Sequence, residues 1–185
     1  MVLKFRQNIA TWFLRRKVKK QSRQNKSVGY KEARKIGILY DASREQDYLL
    51  IKKLVHDLRE EHKEVLALGY INAKKLPKNT FIKLGLDFIT KKNLNWYKKP
   101  VSQTATNFTK EKFDVLINLN IESAYPLRYI AAASHATFKI GRFNKNNKGF
   151  CDFMLQVEKN TELKDLIEQS MHYLKIINSN ELQKA

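Results

Sequence analysis

The sequence predicts an α/β domain: one open, mostly parallel sheet of five or six strands with flanking helices, preceded by a basic helical arm. Three observations carry this. Short apolar runs bounded by turn residues recur along the chain, among them KIGILY, EVLALGYI and FDVLINL, as expected of buried strands. The first two are separated by a helix-length segment with an apolar stripe, Ile51, Leu54, Val55 and Leu58, so strand, helix and strand form a right-handed βαβ unit. Ahead of them, the first 35 residues hold twelve Lys and Arg against one acid, Glu32.

In chain order, residues 2–20 read as a helix. Phe5, Ile9, Trp12 and Phe13 recur at spacings of three and four, and Lys4, Arg15, Lys17 and Lys19 fall around that stripe. Residues 21–29 (QSRQNKSVG) are polar and aperiodic, a linker. The arm and linker, 1–29, are thus set apart from the α/β domain, 30–185. Residues 35–40 form the first strand. Asp41-Ala-Ser43 turns the chain, with Ser43 as N-cap and Gln46 completing a capping box. Residues 64–71 form the second strand. Residues 81–90 combine a short helix with a strand at 86–89. Residues 91–112 read as a long basic loop broken by Pro100 and a Ser/Thr/Asn stretch. The apolar run 113–119 is the clearest strand. A helix over 125–134 opens near Pro126 and packs closely through Ala131, Ala132 and Ala133. Strands at 137–140 and 152–157 flank an Asn- and Gly-rich turn at 141–149. Thr161 caps a last helix whose stripe is Leu163, Leu166, Ile167, Met171, Leu174 and Ile177.

Composition bounds the function. The net charge is +18, and 43% apolar residues suffice for a core. Its distribution is uneven: residues 1–35 carry +11 and 70–112 carry +8, whereas 36–69 carry −2 and 113–185 carry +1. Two basic patches are expected, and they call for a polyanion, an anionic membrane or an acidic protein face. The single cysteine, Cys151, excludes an intramolecular disulfide framework and reads as a small buried hydrophobe in a reducing compartment. No apolar run reaches the length of a membrane span. The apolar stretch Ala10 to Leu14 is too short for a secretory signal, and Arg15 follows at once. A cytoplasmic protein, at most peripheral to the inner membrane, is expected.

Two segments stand out as nucleic-acid-binding candidates. In the arm, Arg15, Arg16, Lys17, Lys19, Lys20, Arg23 and Lys26 are suited to neutralising phosphates along an RNA. In the middle, Lys91, Lys92, Lys98 and Lys99 flank Trp96 and Tyr97, combining cations for a backbone with rings for stacking bases. The bland readings are a packed helix with solvated charges and a loop anchored by its aromatics. Lys145 and Lys148 form a weaker, solvent-exposed third element. The ends of the first and fourth apolar runs offer Asp41, Ser43, Asn118 and Asn120 to a nucleotide, yet neither GxGxxG nor GxxxxGK[ST] is present and Gly37 lies inside its strand. His56, His62, His135 and His172 lack metal-ligand spacing. No metal, cofactor or catalytic residue is expected.

The segments FDVLINLN, YPLRYIAAAS and ATFKIG, over residues 113–141, resemble part of the Rossmann-like N-terminal half of bacterial heptosyltransferase-type glycosyltransferases. That resemblance implies a Rossmann-like fold. Those enzymes need a second such domain for the sugar nucleotide, which 185 residues do not supply, so no catalytic residue is carried over. As a whole the chain resembles an uncharacterised family of small Rossmann-like proteins from Bacteroidota, a resemblance that implies no activity. The expectation is a non-enzymatic protein bound to RNA or the ribosome. Its rivals are a peripheral membrane protein held by residues 2–20 and a nucleotide- or nucleotide-sugar-binding domain.

Overall fold

A computed structural model describes residues 9–16, 18, 26–74, 85–145, 147–158 and 160–177. Six parallel strands form one sheet in the order β3-β2-β1-β4-β5-β6. They are β1 (Lys35–Asp41), β2 (Glu64–Ile71), β3 (Leu86–Thr90), β4 (Val115–Leu119), β5 (Phe138–Arg142) and β6 (Phe153–Leu155). The helices are α1 (described over residues 9–16), α2 (Glu45–Glu60), α3 (Gln103–Lys110), α4 (Tyr125–Ala133) and α5 (Leu163–Ile176).

Strand alternation decides which helices cover which face. Ile36, Ile38 and Tyr40 of β1 join the core under α2 and α5, while Leu39 joins the one under α1, α3 and α4. Central strands buried on both sides must be apolar throughout, which is why β1, β2 and β4 are continuous hydrophobic runs. Gly37 is required by packing. A Cβ there would lie 2.9 Å from Leu116 Cδ1 and 3.0 Å from the Phe113 ring, on the crowded second face. Asp114 ties the starts of β1 and β4 together, its carboxylate accepting from the backbone N–H of Arg34 (2.9 Å) and Lys35 (2.8 Å). The chain after β1 crosses by α2 on one face, and the chain after β4 crosses by α4 on the other. A crevice therefore opens above the carboxyl ends of β1 and β4.

Several sequence expectations are corrected. The 91–112 segment is not a long loop: it holds a 3₁₀ turn, Lys91–Asn93, and α3. Ser102 caps α3 by accepting from Ala105 N–H, and the Thr106 and Thr109 hydroxyls donate back to the Ser102 and Ala105 carbonyls. Ser43 is not an N-cap. The cap of α2 is Arg44, without a side-chain bond, and Ser43 Oγ instead accepts from Asn72 N–H at 3.1 Å. Thr161 donates its hydroxyl to the Glu158 carbonyl, while Glu162 and Asp165 form the capping box of α5. Of the stretch read as linker, residues 26–29 are irregular but not free: Val28 is buried in the core, and the adjacent Tyr30 N–H donates to the Leu174 carbonyl. Residues 81–84 and 19–25 lie outside the described residues.

Candidate nucleic-acid interface

The arm's helix docks on the body through residues other than those its aromatic periodicity suggests. Ala10 and Leu14 are buried, and Val18 is partly so; spaced by four, these three form the inward stripe, and Leu14 and Val18 join a cluster with Phe150 and Cys151. The Tyr125 hydroxyl donates to the Ala10 carbonyl at 2.8 Å. Burial holds the Tyr125 phenol well above the usual tyrosine range, so it stays a donor. Trp12 is 53% exposed and Phe13 36%, which corrects the expected stripe.

The middle loop is held stiffly. Thr90 and Asn93 form a capping box around the 3₁₀ turn. Asn95 Oδ1 accepts from the backbone N–H of both Tyr97 (3.2 Å) and Lys99 (2.9 Å), and Lys98 sits at φ +67°. Leu94 and Pro100 bridge the loop's base. The Asn95 bonds and the left-handed Lys98 shape the turn that carries the exposed Trp96 and the half-buried Tyr97.

The two segments meet. Phe13 stacks on Tyr97 with ring centroids 4.9 Å apart and planes 15° from parallel. Trp12 meets Phe13 edge-on at 4.9 Å, and Trp96 meets Tyr97 edge-on at 5.2 Å. Four aromatic residues from two segments far apart in sequence thereby form one surface ladder, with Trp96 57% exposed. One cation edges it, the Arg16 guanidinium 5.3 Å from the Trp12 ring, while Lys99 Nζ, on the same loop as Tyr97, lies 5.5 Å from the Tyr129 ring outside the ladder. Arg15, Arg16, Lys98, Lys91 and Lys92 are exposed, and Lys99 is half-buried. Lys26 is exposed, with no described contact to the ladder. Lys17, Lys19, Lys20 and Arg23 lie outside the described residues.

Beside the ladder, the crevice at the carboxyl ends of β1 and β4 is a cleft of about 560 Å³. Asp41, Asp47, Glu122, Arg44 and Lys98 all line it, and Lys98, next to Tyr97 in the loop, connects the cleft to the ladder. Arg44 Nε bonds Asp47 at 2.7 Å, and that carboxylate raises the Arg44 pKa. Asp41 Oδ1 accepts from Ser43 N–H at 2.8 Å. Asn118 and Asn120 do not line the cleft. Asn120 is buried and locks the next turn by bonding both N–H and carbonyl of Ala124, while Asn118 is buried near Gly141. Sequence reasoning missed Arg44, Asp47, Lys98 and Glu122 as cleft residues, because they converge only when the sheet brings the segments after β1, β3 and β4 to one edge.

Cys151 is buried and free of any disulfide, and Lys145 and Lys148 are exposed. Among the described residues, no three His, Cys, Asp or Glu side chains are grouped so as to hold a metal ion. No described helix is long and apolar enough to cross a membrane.

The strand order, the two-sided helices and the switch-point cleft define a doubly wound, Rossmann-like protein. The chain belongs to a family of unknown function, DUF6913, whose sequence profile matches residues 6–177. No curated protein and no solved structure matches it.

Proposed function

We propose that this protein binds single-stranded RNA on the surface formed by α1 and the loop after β3, with ribosomal or precursor ribosomal RNA as the expected partner in the cytoplasm. The observation that carries the reading is the ring ladder Trp12–Phe13–Tyr97–Trp96, with Arg16 at its edge and Lys98 and Lys99 on the same loop. Exposed rings stack bases of any sequence, at about 1–3 kcal/mol per base, and the adjacent cations neutralise the backbone. The surplus of +18 supplies long-range attraction for a polyanion.

Both tryptophans of the chain, Trp12 and Trp96, sit in the ladder, so intrinsic fluorescence reports directly on it. Titration with a single-stranded oligoribonucleotide is expected to quench this emission saturably, with affinity falling as salt rises. A blue shift with anionic vesicles and no response to RNA would replace this reading with the membrane one, in which Trp12 and Phe13 enter a headgroup layer.

A second reading is favoured by the cleft. Its volume suits a nucleotide-sized ligand, and the switch-point position agrees with the local resemblance of residues 113–141 to nucleotide-sugar enzymes. Against it stand three carboxylates in the wall and the lack of a glycine turn through which a pyrophosphate approaches the backbone. Stabilisation by nucleotides or nucleotide sugars in a thermal-unfolding screen would support it, and none at saturating ligand would dismiss it.

A further inference from the structure

On α1, Thr11, Leu14, Arg15 and Val18 share one face by their spacings of three, four and seven, apart from the face that carries Trp12 and Phe13. That first face roofs a separate pocket of about 240 Å³, whose other walls are Arg128 of α4 and the turn residues Lys145, Gly149 and Phe150. Three cationic side chains line it and no carboxylate does.

Arg128 is the informative member. Its Nε is buried without a hydrogen-bond partner, and its guanidinium makes no hydrogen bond or ion pair with any described residue. Partial burial lowers its pKa, the direction expected where a cation loses part of its hydration. The neighbouring Tyr125 does not supply a counter-charge, since its hydroxyl is a neutral donor to Ala10. Arg128 as a whole is half-buried, so its charge is only partly hydrated, and an anion seated against the buried Nε edge would complete it. Its planar fork matches a tetrahedral oxyanion bidentately, with Arg15 and Lys145 exposed at the mouth to neutralise the remaining charge.

We propose that this pocket is a binding site for a phosphate group, held by Arg128 from within and by Arg15 and Lys145 at the entrance. The site goes beyond the ladder and does not depend on it, because inorganic phosphate alone should fill it.

The test is thermal unfolding of the full chain with sodium phosphate replacing chloride at constant ionic strength. At phosphate about a hundredfold above Kd, the wild type should gain roughly 5 to 10 °C, saturably. Arg128→Met should unfold near the wild-type temperature in chloride, since the half-buried guanidinium has no described hydrogen-bond or ion-pair partner to lose, and should lose the phosphate response. Lys145→Ala changes an exposed residue and serves if Arg128→Met does not fold; it should shift the phosphate midpoint several-fold higher. A non-saturating rise, equal in all three proteins, would be general salting-out and would overturn the site. A second titration identifies the source. Phosphate that weakens oligoribonucleotide binding in the wild type but not in Lys145→Ala would mark the pocket as a seat for a backbone phosphodiester. Phosphate that fills the pocket and leaves RNA binding untouched would mark it for a free phosphate or a small phosphorylated ligand. Because phosphate is read without RNA, failure of the ladder reading leaves this result standing.

Discussion

Replacing Trp96 by Ala isolates the ladder's contribution to affinity from its contribution to the fold. Trp96 is 57% exposed and meets Tyr97 edge-on at 5.2 Å. Edge-to-face pairs contribute about 0.5–1.5 kcal/mol, and half-exposure keeps the loss of stability near the lower end. The loop keeps its shape, because Asn95, Thr90 and Asn93 hold it through backbone bonds that the indole does not make. The cost to RNA binding is larger. One lost stacking platform removes about 1–3 kcal/mol, which is roughly a five- to 150-fold rise in Kd. Anisotropy of a labelled single-stranded oligoribonucleotide at one fixed salt concentration measures this, with circular dichroism to check that the fold is kept. Trp96→Phe retains a ring and should recover most of the affinity. An unchanged Kd in Trp96→Ala, or a Trp96→Phe protein as weak as Trp96→Ala, would refute stacking on this residue.

Other expectations follow from the same geometry. Leu14→Ala changes no ladder side chain but removes a buried apolar anchor of α1; at about 2–5 kcal/mol for a buried Leu, a short helix should detach, and RNA affinity and protection of residues 9–16 from proteolysis should fall together. Replacing Arg15 and Arg16 with Gln should flatten the slope of log affinity against log salt by roughly 1.4 if both neutralise a phosphate of a single strand, and an unchanged slope would remove α1 from the backbone contacts. Tyr40 is fully buried with an unpartnered hydroxyl, so Tyr40→Phe should raise stability in denaturant by about 1 kcal/mol; a less stable variant would reveal a partner for that hydroxyl. Tyr30, Tyr40 and Tyr125 all have pKa values raised above 10.0, chiefly by burial. Their unfolded forms ionise first, so the stability they contribute is complete below about pH 10 and drains away as pH rises beyond it, a loss that urea unfolding should show and that Tyr40→Phe should lessen.

The sheet was legible in the sequence where physics leaves little choice. A parallel strand covered on both faces must be apolar throughout, so β1, β2 and β4 announce themselves, and α2 keeps its stripe because it covers one face only. The helix α3 was hidden because Thr and Asn compete with the backbone for hydrogen bonds. It forms because Ser102 caps it, two threonines turn their hydroxyls inward to the preceding turn, and Ala105 and Phe108 find a core. The large rings of α1 drew attention from the smaller Leu14 and Val18, which join the cluster with Phe150, and from the buried Ala10. Ser43 looked like a cap until β2 brought Asn72 N–H within reach. Each basic-aromatic segment was visible alone. Their union was not, since Phe13 and Tyr97 are far apart in sequence and meet only through the fold.

Ultraviolet crosslinking of the native chain to cellular RNA, followed by mass spectrometry of the nucleotide-bearing peptides, tests the central claim most directly, because short-wavelength light joins only bases in contact with a side chain. The account predicts adducts on Trp12, Phe13, Trp96 or Tyr97, lost together when Leu14→Ala frees α1. Recovery of the protein without RNA adducts, or with adducts only at residues remote from this ladder, would contradict it.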